Sequence, residues 1–305
     1  MAQPHISLAA EKIGTLLGLP VTNSTLMTWM VMIVLVVFAY FATRTKSRLP
    51  SNIQSIAEVV LDGIYSLFKS VVGEKHIDTF FPVLATIFLF VITANWFGLL
   101  PGVGTIGFTK TESTSQSYES AQGVEEKETA EPVVIEDDHG ASLPAETEEG
   151  TSTAEIDHSQ GEGVAEAGHT SFVPLFRGAT ADLNTTLAIA LIAVFSVQYY
   201  GIKTLGGSYL KKFFNFSDPI MFGVGLLEIV SEFSRIISFA FRLFGNIFAG
   251  EVLLTVIAFL MPLIAPLPFL GLELFVGFIQ ALVFSMLTAV FLNMATISHE
   301  AHAEH

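Results

Sequence analysis

Ser238-Phe239-Ala240-Phe241-Arg242-Leu243-Phe244-Gly245-Asn246-Ile247-Phe248-Ala249-Gly250-Glu251 is the stretch on which the reading of this chain turns, because it sets an arginine, an amide and a carboxylate inside an oily run. An isolated charge at the centre of a bilayer costs from about 3 to well above 10 kcal/mol, which makes such a residue a functional-site candidate by default. The bland alternative is a structural arginine paired inside a helix bundle. On either side the helical pattern continues almost unbroken from residue 218 to 261. At 1.5 Å per residue that is about 66 Å, roughly twice the apolar thickness of a bilayer. Glycines 223, 225, 245 and 250 have no adjoining prolines and give no turn in the middle. The pattern therefore predicts one long helix, steeply tilted in the membrane. Pro262, Pro266 and Pro268 supply the turn, and residues 269–297 return as a second over-long helix, with a polar tail to 305.

Composition agrees. The 305 residues are 51% hydrophobic with 27 Phe, and the mean hydropathy is +0.59. A soluble chain of this size could not hide so much apolar surface, so the fold class expected is an all-α integral membrane protein. The net charge of −15 is local: residues 103–170 carry 16 acids against Lys110 and Lys127, a net of −14. The membrane body is close to neutral, and no acidic surface is available to argue for a partner. With no cysteine, disulfides and thiolate-bound metals are excluded. Residues 1–19 lack the basic and apolar order of a cleavable signal peptide.

The first expected span is 26–43, followed at once by Arg44, Lys46 and Arg48, which the positive-inside rule places in the cytoplasm with the N-terminus outside. Residues 51–73 carry apolar side chains at helical spacing among Glu58, Asp62 and Lys69, the pattern of an amphipathic helix on the cytoplasmic membrane surface. The second span is 80–100. Residues 103–170, rich in Glu, Ser, Thr and Gly, are expected to form a disordered external loop that concentrates cations near the external side. His139, His158 and His169 within it lack the spacing of a metal site. The third span is 183–200, followed by Lys203, Lys211 and Lys212, a second cytoplasmic return. The chain thus divides into 1–102, the acidic loop 103–170, the third span and its loop 171–217, and the hairpin with its tail 218–305. There is no internal repeat.

Helical geometry sorts the polar groups of the first hairpin helix. Glu228, Glu232 and Arg235 share a side, and Arg242 and Asn246 continue the stripe. Glu251 lies nine residues past Arg242, about 900 degrees round and about 13.5 Å along the axis, on the opposite face. The two therefore serve different surroundings: Arg242 a partner that brings its own carboxylate, Glu251 another helix of the same chain. The returning helix offers Glu273 and Gln280, seven apart on one face. Two neighbouring acids are suited to pass protons, whereas the amide of Gln280 suits a hydrogen-bonding strut.

The run from Arg242 to Glu251 resembles the signature of subunit a of bacterial F-type ATP synthases. Supporting matches are Asn95-Trp96-Phe97-Gly98-Leu99-Leu100-Pro101, Ala181-Asp182-Leu183-Asn184-Thr185-Thr186, Ile279-Gln280-Ala281-Leu282-Val283-Phe284 and Leu292-Asn293-Met294-Ala295, so that the likeness covers 20–102 and 172–298. The resemblance implies a stator subunit of the bacterial plasma membrane, multi-pass, with its C-terminus cytoplasmic. Its implied partners are a ring of c-subunits, the b subunits of the peripheral stalk and the rest of the complex. Arg242 matches the family's essential arginine, which attracts the ring carboxylate and separates two offset half-channels. Glu251, Asn246, Glu273 and Gln280 match the external path or the contacts around it. Ser238 and Glu228 match the cytoplasmic half-channel, and Arg235 falls where relatives often have a base. Asp182, Asn184 and Glu232 are further candidates. Glu273 departs from the histidine common in relatives, and the loop 103–170 is unusually long.

No catalytic residue, cofactor, metal ion or nucleic-acid partner is expected. The chain has no Gly-rich phosphate-binding motif, so nucleotide chemistry falls to other subunits. Two competing classes remain: a self-contained secondary transporter, which usually shows repeat symmetry, and a structural membrane scaffold.

Overall fold

The computed structural model describes residues 10–16, 18–44, 52–104, 106–112, 169–213, 219–261 and 264–297. The expectation for 113–168, with His139 and His158, lies outside the described residues. Helices dominate: α1 (Asn23–Arg44), α2 (Asn52–Val72), α3 (Ile77–Gly98), α4 (Leu183–Leu205), α5 (Gly207–Lys211), α6 (Pro219–Leu260) and α7 (Pro266–Thr296). Among the described residues, five helices are long and apolar enough to cross a membrane: α1, α3, α4, α6 and α7. This is an all-α membrane protein, as the composition requires. The hairpin prediction holds to within a few residues: α6 runs unbroken for 42 residues and α7 for 31.

Five short strands occur among the described residues. β1 (Lys12–Leu16) and β2 (Leu19–Thr22) form an antiparallel hairpin turning through Gly18, whose φ of 82° is a conformation that favours glycine. β3 (Pro101–Gly104) follows α3. β4 (Gly107–Glu112) pairs with β5 (His169–Pro174), so the expected disorder of 103–170 does not reach its ends. β-branched residues, Thr109 on one strand and Val173 on the other, suit a pleated ribbon. The described residues 109–112 and 169–171 belong to a unit separate from the rest of the chain.

The membrane body packs α3 and α4 against the hairpin. Phe239, Leu243 and Ile247 of α6, spaced four apart, are buried with Ala190, Ala193 and Val197 of α4 and with Ala281, Phe284 and Leu292 of α7. Water does not drive helices together in lipid, so close contact through small residues such as Ala190, Ala193, Ala240, Ala281 and Ala289, all fully buried, carries the association. Polar clips set the register. The Asn95 amide donates to the Gly277 carbonyl (2.9 Å) and the Trp96 indole to the Leu274 carbonyl (3.1 Å), which fastens the end of α3 to α7. The Asn293 amide donates to the Val71 carbonyl (3.2 Å) and fixes α7 to the amphipathic helix α2.

Asp182 caps α4 by accepting from the Asn184 backbone N–H (3.0 Å) and also accepts from the Ser24 hydroxyl (2.5 Å), joining the starts of α1 and α4. Asn184 itself is exposed. Asp182 thus serves the fold. Replacing it by Ala removes the cap and the hydrogen bond from Ser24, whose hydroxyl keeps only Thr22 (2.9 Å), an expected loss of about 1–2 kcal/mol. The check is a lowered melting temperature of the solubilised complex, with Asp182→Asn, which keeps a capping oxygen, falling less.

Candidate functional site

The burial of α6 defines the site. With Phe239, Ala240, Leu243, Phe244 and Ile247 turned inward, Ser238, Phe241, Arg242, Gly245, Asn246 and Ala249 form a stripe at helical spacing that the rest of the chain leaves uncovered. A Cβ added at Gly245 would meet nothing within 4 Å, so this face is open to close approach. The Arg242 guanidinium lies 5.9 Å from the Phe239 ring centre, and among the described residues no carboxylate is within 4.0 Å of it. Arg242, Asn246 and Ser238, separately singled out in the sequence, therefore meet on one open face.

From Arg242 towards the start of α6 runs an open groove of about 340 Å³, lined by Ser231, Ser234, Arg235 and Ser238 and bounded by Leu287 and Phe291 of α7. Arg235, unlike Arg242, is neutralised. Its Nη1 donates at 2.7 Å to both oxygens of Glu232, one turn away, and its guanidinium sits 3.9 Å from the Phe291 ring centre, a cation–π contact. Glu228 pairs with Lys212 at 2.6 Å. The predicted acidic side of the helix is thus a sequence of closed ion pairs leading up to Arg242, which has no carboxylate within 4.0 Å among the described residues. Below it, Tyr209 packs against Gly201 and donates to Gln198 (2.8 Å). Burial, aided by the Glu232 charge, pushes its phenol up to about 12, so it stays a neutral donor.

Beyond Arg242 the polar groups differ. Glu251 is held by Arg177, whose Nε donates to Glu251 Oε2 at 3.4 Å, and whose guanidinium lies 5.7 Å from the Phe248 ring centre. Glu273 is buried on α7, and its carboxylate lies directly on the backbone of Gly250, where any Cβ would collide with it. The structure thus brings the two acids to neighbouring positions, 251 and 250, without pairing them. Gly250 serves this contact inside the hairpin, whereas Gly245 lies on the open face. Gln280 is half-buried and makes no side-chain hydrogen bond among the described residues, and the clips from α3 to α7 come from Asn95 and Trp96.

Arg177 escaped sequence reasoning. It is the single lysine or arginine between Lys127 and Lys203, standing just before an apolar span, and that isolation was the available signal. No group of three or more metal-ligating side chains occurs among the described residues.

Residues 25–293 match the ATP synthase A chain family. The chain is also 32% identical over 275 residues to the ATP synthase subunit a of Gloeobacter violaceus, across 90% of this chain and 84% of that one. The chain belongs to the ATP synthase A chain family. Membership places it in the membrane sector of an F-type ATP synthase as a multi-pass protein of proton transport and ATP synthesis, and not as the catalytic subunit.

The Gly250 contact gives a prediction for such a subunit. In Gly250→Ala the new methyl displaces the Glu273 carboxylate, a flexible group that can yield, so insertion and assembly persist. Shifting an acid by about 1 Å is expected to slow ATP-driven proton pumping about tenfold or more, as read by acidification of inverted membrane vesicles.

Proposed function

We propose that this chain is the stator half of a rotary proton path, with Arg242 as the fixed cation against which the carboxylates of a c-subunit ring pass. The observation that carries this reading is the open stripe. A membrane arginine needs a counter-charge, the described residues place none within 4.0 Å of Arg242, and Gly245 and Ala249 leave room for another helix beside it. Glu251, the acid nearest along α6, is committed to Arg177. The partner carboxylate therefore comes from another subunit.

The polar groups on the two sides of Arg242 support two half-channels offset along α6. One follows the groove of Ser231, Ser234 and Ser238, with Glu228, Glu232 and Arg235, on the cytoplasmic side. The other uses Glu251 and Glu273, with Asn246 and Gln280 beside them, on the external side. A fixed cation favours the ionised form of a carboxylate facing it, and a carboxylate turning into lipid must be neutral. The ring then moves protons in one direction only if Arg242 blocks direct transfer between the half-channels. In this reading α6 and α7 lie steeply tilted, the N-terminus is external, the C-terminus is cytoplasmic, and the b subunits of the peripheral stalk hold the chain against rotation.

Arg242→Ala separates this function from a scaffold or a self-contained transporter. The expected result is loss of ATP-driven proton pumping in membranes where the complex is assembled at normal level. Normal pumping by Arg242→Ala would overturn the reading.

A further inference from the structure

Arg177 is 6% exposed, an unusual state for a cation that follows a strand and precedes a 3-10 turn at Ala179–Ala181. A buried charge of this kind survives only when its partner and its backbone are both fixed. The partner is Glu251, and the ring of Phe248 flanks the same guanidinium. Phe248 and Glu251 are three apart on α6, so one turn of helix presents a ring and a carboxylate together.

The backbone around Arg177 is equally constrained. Gly178 packs on Gly98 so closely that a Cβ at 98 would stand 3.3 Å from the Gly178 Cα. The Thr180 hydroxyl donates to Asn95 Oδ1 (2.7 Å), and Asn95 in turn holds the Gly277 carbonyl of α7. Asp182, two residues on, is fixed by Ser24. Segments from α1, α3, α4 and α7 thus converge to hold one arginine against α6. That is the arrangement of a preorganised site, in which supporting contacts fix the group that touches the working residue.

We infer that Arg177 is a positioning residue of the external proton path: its ion pair fixes where the Glu251 carboxylate stands, one residue along α6 from the Gly250 backbone on which Glu273 rests. This rests on the stator reading above. Arg177 does not carry the proton, since a guanidinium stays protonated. It fixes where the carrier stands. The side chain makes its bond through Nε to one carboxylate oxygen, so the other oxygen of Glu251 is not engaged by this contact.

The test compares Arg177→Gln and Arg177→Lys in the whole complex, with Arg242→Ala alongside. Assembly is scored by the amount of this chain in the purified complex. Proton flux is scored twice, as ATP-driven pumping and as passive conduction through membranes stripped of the catalytic sector. Arg177→Gln is expected to assemble normally and lose about tenfold in both fluxes, the scale of a misplaced reacting group. Arg177→Lys is expected to recover at least half of the wild-type flux, because a cation is restored. Unchanged flux in Arg177→Gln overturns the inference. So does an equal loss in the Lys and Gln variants, which would assign the residue to packing, and so does failure of Arg177→Gln to assemble, which would assign it to folding. Normal pumping by Arg242→Ala would instead bring down the stator reading itself.

Discussion

A cation set in a membrane helix with no carboxylate among the described residues within reach is the constraint from which the rest of this structure follows. Arg242 is costly to place in lipid, and in the stator reading proposed above an internal partner would remove the cost and with it the function. The hairpin is built to keep that partner away. Phe239, Leu243 and Ile247 turn one side of α6 into the bundle, and the same helical spacing turns Arg242, Gly245 and Asn246 out of it. Small residues at the buried helix contacts let the bundle close tightly behind this face.

The remaining charges along α6 are arranged so that none competes for Arg242. Glu232 is taken by Arg235, Glu228 by Lys212 and Glu251 by Arg177. Each pair uses a cation from a different place: the helix itself, the loop after α5, and the segment before α4. Glu273, the acid without such a cation among the described residues, is accommodated by the missing side chain of Gly250. Electrostatic order along one helix therefore depends on packing contributed by nearly every other element.

Much of this was legible in the sequence because the bilayer simplifies the problem. Span length, flanking bases and proline turns are dictated by a solvent of fixed thickness, so α1, α3, α4 and the two long helices could be read directly. The separation of Arg242 from Glu251 followed from 100 degrees per residue. What stayed hidden depends on tertiary approach. Nothing local in Phe-Arg-Gly-Ala-Thr announces that Arg177 reaches α6, and the contact of Gly250 with Glu273 is decided by how two helices cross. The strands at 107–112 and 169–174 were obscured because the composition of the segment between them speaks for disorder, whereas pairing of its two ends is a long-range event. Asp182 was legible only as a candidate acid, and its capping of α4 emerges from the structure, since an aspartate before an apolar helix satisfies both descriptions.

The chain contains no cysteine, which allows its central claim to be tested by placing one. Asn246 stands one turn from Arg242 on the open face, and a cysteine there can be paired with a cysteine one turn from the ring carboxylate of the c-subunit. Mild oxidation of the assembled complex should join the two subunits and stop rotation-coupled proton pumping, with both restored by reductant. An intact complex that forms no such cross-link would contradict the assignment of the partner of Arg242 to the ring.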